Sequence, residues 1–319
     1  MSTNKNLYPD RHPQSEIFLV DIFESFRDDI ASMEHPIFSL SKKPDFRIPE
    51  YSHNGKTIKI KPSSDGLPTI FDKDILLYIA SSLINAKNNG ESISQYVRFT
   101  SYDYLVTTNK STGGEQYNQM KASLSRLQGC SIETNIKTND VEITEGFGLI
   151  DNYRVVKEGK NGKALAMEVR VNDWFYNSII GNEVLTIDRG YFRLKKPTDR
   201  RLYVLARKHC GNQNVWKISL DKLKVKLGTV SPIRTLRFNM RKLIDSNHLP
   251  EYNISMYEDV VTFTRKEPPK APTKTQIYKG AKPGESYDQA KTRMSAKTGI
   301  KDMKKALGRE RSKFCVRLI

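Results

Sequence analysis

Apolar positions recur along this chain with two periods, and the periods alternate in the same order in two separate stretches. After Asp72, a capping residue, Ile75, Leu76, Ile79, Leu83 and Ile84 fall at helical spacing until Asn88-Asn89-Gly90 ends the run. Tyr96 to Phe99 alternates as a short strand, and Ser101 to Thr108 reads as a second short helix opened by a serine cap. Beyond the turn Ser111-Thr112-Gly113-Gly114, Tyr117, Met120, Leu124 and Leu127 share one face of a third helix, which Gly129 stops. Ile132 to Lys137, Val141 to Thr144 and Phe147 to Val156 are rich in β-branched residues and predict a hairpin and its continuation. Leu165 to Val171 returns against Arg154 to Lys157 across Gly159-Lys160-Asn161-Gly162-Lys163, a candidate wing.

The second stretch repeats this order. Pro197 opens a helix at the position where proline sacrifices no hydrogen bond, and the helix runs to Gly211. Trp216 to Ile218 is a strand, Ser219 caps a helix ending at Gly228, and Ser231-Pro232 starts a third helix. Tyr252 to Met256 and Val260 to Thr264 complete a hairpin. Helix, strand, helix, helix, hairpin is the winged-helix plan, so the expected fold is α+β with two tandem winged-helix domains. The expected boundaries are an N-terminal arm at 1–50, a first domain at 51–172, a connector at 173–196, a second domain at 197–266 and a basic, disordered tail at 267–319. In the arm, Ile17 to Phe26 is the one periodic segment, and prolines at 36, 44 and 49 prevent a long helix. The arm is expected to wrap on the first domain, with Phe38 and Leu40 turned toward its core. The connector bunches Trp174, Phe175 and Tyr176 in a short helix expected to pack between the domains.

Composition agrees with this plan and narrows the setting. The 319 residues suit two domains of ~100–150 residues. The longest weakly polar stretch, Ile75 to Ala86, falls short of the ~20 apolar residues a membrane span needs. No secretory signal precedes it, and three scattered cysteines do not make a disulfide framework, so the expected compartment is the cytosol. Lysine and arginine number 53 against 36 acids, a net charge of +17, which favours polyanionic partners. From Lys266 to Ile319 there are 15 basic and 5 acidic residues, so the tail carries +10 and the preceding 265 residues carry +7.

Placement, rather than total charge, therefore identifies the candidate chemistry. In the last helix Ile233, Leu236, Met240, Leu243 and Ile244 share a face, while Arg234, Arg237 and Arg241 form a stripe about ~80–140° away. Arginine both reads guanine and clamps phosphate, and Asp245 is the one acid within that helix. Ser231, Thr235 and Lys242 complete this candidate DNA-binding set, whose alternative is an ordinary solvated helix face. In the first domain the corresponding helix offers Gln116, Asn118, Lys121 and Arg126 outside its apolar stripe, approached by Lys110 and Ser111. Such a set suits adenine or phosphate contact, or simply a soluble surface. Lys160 and Lys163 in the candidate wing complete the list of DNA-contact residues.

Enzymatic patterns are missing. No phosphate-cradling glycine loop with its lysine and hydroxyl occurs, His12, His35, His53, His209 and His248 stand apart in sequence, and Glu142, Glu145 and Asp151 are not clustered. His209-Cys210 has no second ligand at metal spacing and reads as the end of a helix. The chain is expected to be a binder that uses no cofactor and no metal.

Several longer stretches resemble the replication initiator protein A family of bacterial plasmids. They are Ser32 to Leu40, Phe71 to Leu76, Leu124 to Gly129, Phe147 to Asp151, Gly181 to Thr186 and Arg200 to Gly211, within roughly residues 15–265. The resemblance implies a plasmid-encoded protein that binds repeated sites in double-stranded origin DNA, helps open the duplex and assists loading of the host helicase. It also implies as partners the host helicase with its loader or the host initiator, and a homodimer as an inactive state. Two other readings stay open on the residues alone. One is a plasmid-encoded transcriptional repressor binding similar sites, and the other an interaction protein whose tail supplies nonspecific affinity.

Overall fold

The computed structural model describes residues 5–12, 26–53, 55–137, 139, 146–157, 164–211 and 213–266. Strand β1 (Phe26–Asp29), helix α1 (Ile30–Glu34) and strands β2 (Glu50–His53) and β3 (Lys56–Lys61) precede a first unit. That unit runs α2 (Lys73–Asn88), β4 (Tyr96–Phe99), α3 (Ser101–Thr107), α4 (Gly114–Gly129), β5 (Ser131–Thr134), β6 (Ile150–Lys157) and β7 (Ala164–Val171). Helix α5 (Asp173–Ile180), strand β8 (Val184–Ile187) and a 3-10 turn (Arg189–Arg193) lead to a second unit. Its elements are α6 (Pro197–His209), β9 (Val215–Ser219), α7 (Leu220–Leu227), α8 (Ile233–Ser246), β10 (Tyr252–Tyr257) and β11 (Val260–Arg265). In both units the second strand of the hairpin lies in the middle of an antiparallel sheet, in the order β4-β7-β6 and β9-β11-β10.

Each unit buries the faces its periodicity predicts. The first core gathers Ile75, Leu76 and Ile79 of α2, Met120, Leu124 and Leu127 of α4, and Val97, Met167 and Val169 of the sheet. The second gathers Leu202 and Leu205 of α6, Leu223 and Leu227 of α7, Leu236, Met240 and Leu243 of α8, and Val261 and Phe263 of the hairpin. Helix α2 is buried on nearly all sides, because Leu77 leaves the first core and packs in the second. Its unbroken run Ile75-Leu76-Leu77-Tyr78-Ile79-Ala80 is what a helix wedged between two layers requires.

Three local expectations change, and a fourth falls outside the described residues. Residues 132–137 pair mainly elsewhere, since β5 joins β3 in a separate three-stranded sheet, β2-β3-β5, with Ile132 opposite Ile60, and toward the expected hairpin strand they keep the Ile132–Phe147 bridge. The strand expected at Val141–Thr144 lies outside the described residues, as do residues 17–25 and the tail from 267 onward. Trp174 and Phe175 pack inside the first core rather than between the units, and the indole Nε1 donates to the Ile136 carbonyl at 3.2 Å. The helix expected to open with a Ser101 cap starts one residue earlier in effect: Thr100 accepts from the Asp103 amide, and Ser101 is buried within the first turn.

The arm serves both units instead of wrapping on the first alone. Strand β1 pairs with β8 of the connector, Phe26 and Met33 enter the second core, and Ile37 and Phe38 enter the first. Residues 5–12 continue this bracing. Tyr8 donates its amide to the Arg193 carbonyl at 2.7 Å, and Arg11 donates its amide to the Asn109 side chain at 2.8 Å. One short segment thus ties the connector to the first unit.

Charged groups make the junction specific. Asp74 of α2, fully buried, accepts from Arg200 of α6 and from Lys110, each at 2.6 Å. The Arg200 guanidinium also donates to the Leu194 and Phe192 carbonyls and lies over the rings of Phe71 and Tyr191. Lys73 pairs with Asp28 of β1 at 2.7 Å, and burial raises the Asp28 carboxyl to about 6 although Lys73 opposes the shift. Arg201 closes the last turn of α1 by donating to the carbonyls of Ser32, Met33 and Glu34, and to that of Lys226. Glu34 receives Lys226 and lies 3.2 Å from His209; burial opposes its charge, but those two partners hold its carboxyl well below the ordinary range. Gly228 has a positive φ of 66°, and a side chain there would meet Pro36 at 2.7 Å, so only glycine lets α7 end against the arm.

Asp74→Ala is therefore expected to lower stability by about 3–5 kcal/mol, because it strands Arg200 in an apolar junction. Lys61→Ala, which breaks an exposed pair with Glu133, is expected to cost under about 1 kcal/mol. Urea denaturation of the two variants checks the contrast.

Candidate nucleic-acid interface

Among the described residues, helix α8 presents an open basic face. Arg234, Thr235, Arg241 and Lys242 are exposed, and Ser231 is half-buried just ahead of the helix. Among the described residues Arg234 and Arg241 make no ion pair. Pro232 occupies the cap position and supplies no side-chain bond, and no acid lies in the first turn, so the helix N-terminus keeps its positive end bare. Phe238, 55% exposed, sits between Arg234 and Lys242 on the side opposite the buried stripe, and the Lys242 ammonium lies 4.2 Å from its ring centre. The sequence reading passed over Phe238. The signal was available, since it breaks the apolar spacing set by Leu236, Met240 and Leu243.

Arg237 is the exception on this face. Its guanidinium donates Nε to Asp259 Oδ1 at 2.8 Å and Nη2 to Oδ2 at 2.5 Å, and each partner steadies the charge of the other, raising the arginine and lowering the aspartate. The apparent shortage of acids near the helix is thereby corrected, because the acid comes from the turn between β10 and β11. That turn consists of Glu258 and Asp259, both acidic and both exposed. A hairpin tip of this sign repels phosphate. Arg237, Arg241, Asp245, Ser255, Glu258 and Asp259 help line a shallow groove of about 570 Å³ between helix and hairpin.

The corresponding helix of the first unit, α4, is arranged differently. Asn118 is exposed, Gln116 and Lys121 are half-buried, and Ser111 is exposed in the approach. Arg126, in contrast, is bound side-on by Asp72, with Nε and Nη2 each 2.7 Å from a carboxylate oxygen. Asp72 also accepts from Ser123 at 2.6 Å and from the Thr69 amide, which is why it makes no cap bond to α2. Lys110 is spent on Asp74. These two cations thus belong to the fold, and the reading of them as free DNA contacts is corrected. Lys160 and Lys163 lie outside the described residues.

Beneath α4 an open cleft of about 580 Å³ lies between the first unit, the arm and the connector. Besides Lys110, Arg126 and Arg200, its lining includes Arg11, Lys42, Lys43 and Lys195, while Asp65 and Asp72 are the acids that face it. Gln116 and Gln119 of α4 reach the same space. Arg11, Lys42, Lys43 and Lys195 carry no local pattern, since they sit in three irregular segments that only the tertiary fold brings together.

The overall fold is similar to that of solved structures. Crystals of domains 2 and 3 of RctB, as a selenomethionine derivative, superpose with a TM-score of 0.55 over 75% of this chain and 99% of theirs, at 12% identity. A second structure of RctB domains 2-3 gives a TM-score of 0.51 over 73% of this chain and 96% of its own, at 13% identity. At such identities the likeness concerns the fold alone. The sequence goes further: the pattern of the family described as "Replication initiator protein A" matches residues 27–254. A protein of Wigglesworthia glossinidia brevipalpis, named "Putative replication protein", is 41% identical over 258 residues, spanning 79% of this chain and 94% of that one. The chain belongs to the replication initiator protein A family.

Denaturation separates structural from surface arginines. Arg126→Ala is expected to cost about 1–3 kcal/mol, because Asp72 keeps its burial and loses a bidentate partner. Arg234→Ala, on an exposed and unpaired side chain, is expected to stay within about 0.5 kcal/mol of the unaltered protein.

Proposed function

We propose that both units are winged helices and that the protein is a plasmid replication initiator that binds repeated duplex sites at its origin, with α8 as the principal reader of sequence. The observation that carries this is the face of α8 in a member of this family: unpaired Arg234 and Arg241, exposed Phe238, and a bare positive helix end. In such proteins the third helix enters the major groove with its N-terminal residues at base edges. Arginines supply guanine and phosphate contacts, and an aromatic edge supplies apolar contact to a thymine methyl. Helix α4 takes an adjoining segment through Asn118, Gln116 and Lys121, and the cleft cations Lys42, Lys43 and Arg11 provide sequence-independent grip on the backbone between the two helices.

The role is binding rather than catalysis. The closest approach to a catalytic arrangement is Ser246–His248–Asp199, in which His248 contacts Ser246 Oγ at 2.7 Å and Asp199 at 2.8 Å. That serine also donates toward the Lys242 and Leu243 carbonyls, and the histidine is buried, so the group closes the end of α8 onto α6. Opening of the duplex, helicase loading through host proteins, and an inactive dimer follow from family membership and complete the proposal. No helix among the described residues is long and apolar enough to cross a membrane, and the proposed site of action is the cytoplasm, where the plasmid resides.

The gene with its flanking DNA is expected to maintain a plasmid that otherwise cannot replicate, and the Arg234→Ala/Arg241→Ala double variant is expected to abolish maintenance while the protein still accumulates. Each substitution is expected to weaken duplex binding by about 1–3 kcal/mol and to flatten its salt dependence. Maintenance by the double variant would defeat the assignment to α8, and sequence-specific binding without any maintenance would make the protein a repressor.

A further inference from the structure

We propose that Asp259 is a positioning residue that holds the Arg237 guanidinium in the orientation that reads a guanine edge in the major groove. This rests on the reading of α8 as the helix that faces DNA, and it adds which of the three arginines reads a base and which base it reads.

The argument begins with the edges of the guanidinium. Arg237 uses Nε–H and one Nη2–H against the two oxygens of Asp259, at 2.8 and 2.5 Å. A guanidinium carries five N–H groups in a rigid planar fork, so side-on pairing leaves both Nη1–H groups and the outer Nη2–H unused. One N–H from each Nη projects in parallel from the far end of the fork. That is the pair of donors that matches O6 and N7 of guanine. Carboxylate and base therefore occupy different edges of the same planar group, and the first fixes its plane for the second.

The hairpin is built to keep the carboxylate in place. Glu258 and Asp259 both have positive φ, 44° and 60°, the conformation of a two-residue primed turn that most side chains avoid and that aspartate tolerates. The Asp259 carbonyl also accepts from the Leu220 amide at 2.8 Å, which ties the turn to the start of α7. The strands on both sides are paired through Tyr257 and Val260. The acid is thus presented by a rigid corner of the same domain.

Charge then separates the roles of the three arginines. Arg237 with Asp259 has no net charge, and Glu258 beside them adds a negative one, so this corner gains little from a phosphate. A guanine edge is neutral and offers two acceptors, so it can be bound there without meeting that repulsion. Arg234 and Arg241, one helical turn to either side, form no ion pair, although Arg241 lies near enough to Asp259 to help lower its carboxyl, and both are exposed toward the backbone.

The test is selection of bound sequences from a randomised duplex library with the full chain, comparing Asp259→Asn, Arg237→Ala, Arg237→Ala/Asp259→Asn and Arg234→Ala. Asparagine tolerates the same positive φ, and the site is exposed, so the fold is retained. Asp259→Asn and Arg237→Ala are expected to lose preference at one and the same guanine, by roughly ten-fold for Arg237→Ala, with the rest of the selected sequence intact. The double variant should be no worse than Arg237→Ala. Replacing that guanine by 7-deazaguanine, which lacks the N7 acceptor, should weaken the unaltered protein and leave Arg237→Ala unaffected. Tighter binding of Asp259→Asn to every sequence, with preference unchanged, would overturn the proposal in favour of simple repulsion of phosphate. Unchanged affinity and preference would reduce the pair to a surface ion pair. Indifference of all three arginines, tested with Arg241→Ala added, would instead remove α8 from the DNA interface altogether.

Discussion

A single buried carboxylate, Asp74, governs how the two halves of this protein sit together. It is contributed by a helix of the first unit and neutralised by Arg200 from the second, with Lys110 as a further donor. A charge removed from water needs its partner in a narrow range of geometries, whereas apolar surfaces tolerate sliding. Arg200 extends the constraint by binding two carbonyls of the connector and lying over Phe71 and Tyr191. The relative placement of α4 and α8 is therefore one arrangement and not a range.

The same accounting changes the meaning of the positive charge. A net of +17 suggests a polyanion, yet Lys73, Lys110, Arg126, Arg200 and Arg201 are committed to carboxylates or carbonyls inside the protein. They are cement for the seam and contribute little field at the surface. Among the cations that stay outward are those on the face of α8 and the loop cations Arg11, Lys42 and Lys43 at the cleft. The two units consequently differ, one with an arginine-rich exposed helix and one with a mostly neutral helix beside a basic cleft. The Ser32–Leu40 stretch gains an explanation from the seam: its carbonyls are the acceptors for Arg201, its Glu34 meets Lys226, and its Pro36 seats the end of α7.

Legibility followed the range of the interactions. The helices α2, α4, α6 and α8 were visible because an apolar stripe repeats locally, and the hairpin β10–β11 because alternation and a turn lie within a few residues. The sheet β2-β3-β5 was missed because its strands are short and one partner lies some seventy residues away from the other two, as in Ile60 opposite Ile132. Trp174 was misplaced for a related reason, since an aromatic cluster announces burial but not which core receives it. Arg237 and Arg126 looked as free as Arg234, because a pairing acid 22 or 54 positions away leaves no trace in a helical wheel.

By itself the sequence determined the order of elements, the two repeated units, the buried stripe of each helix and, through long family-like stretches, the kinship of the chain. These are properties of local backbone preference and of apolar periodicity, which each segment carries wherever it is placed. The tertiary structure alone decided which cations are spent and which are available, because a charge is quenched by whatever side chain comes within a few ångströms, whatever its distance along the chain. It also decided that Asp259 of the hairpin turn pairs with Arg237 of α8, that four loop cations meet at one cleft, and that the arm belongs to both units.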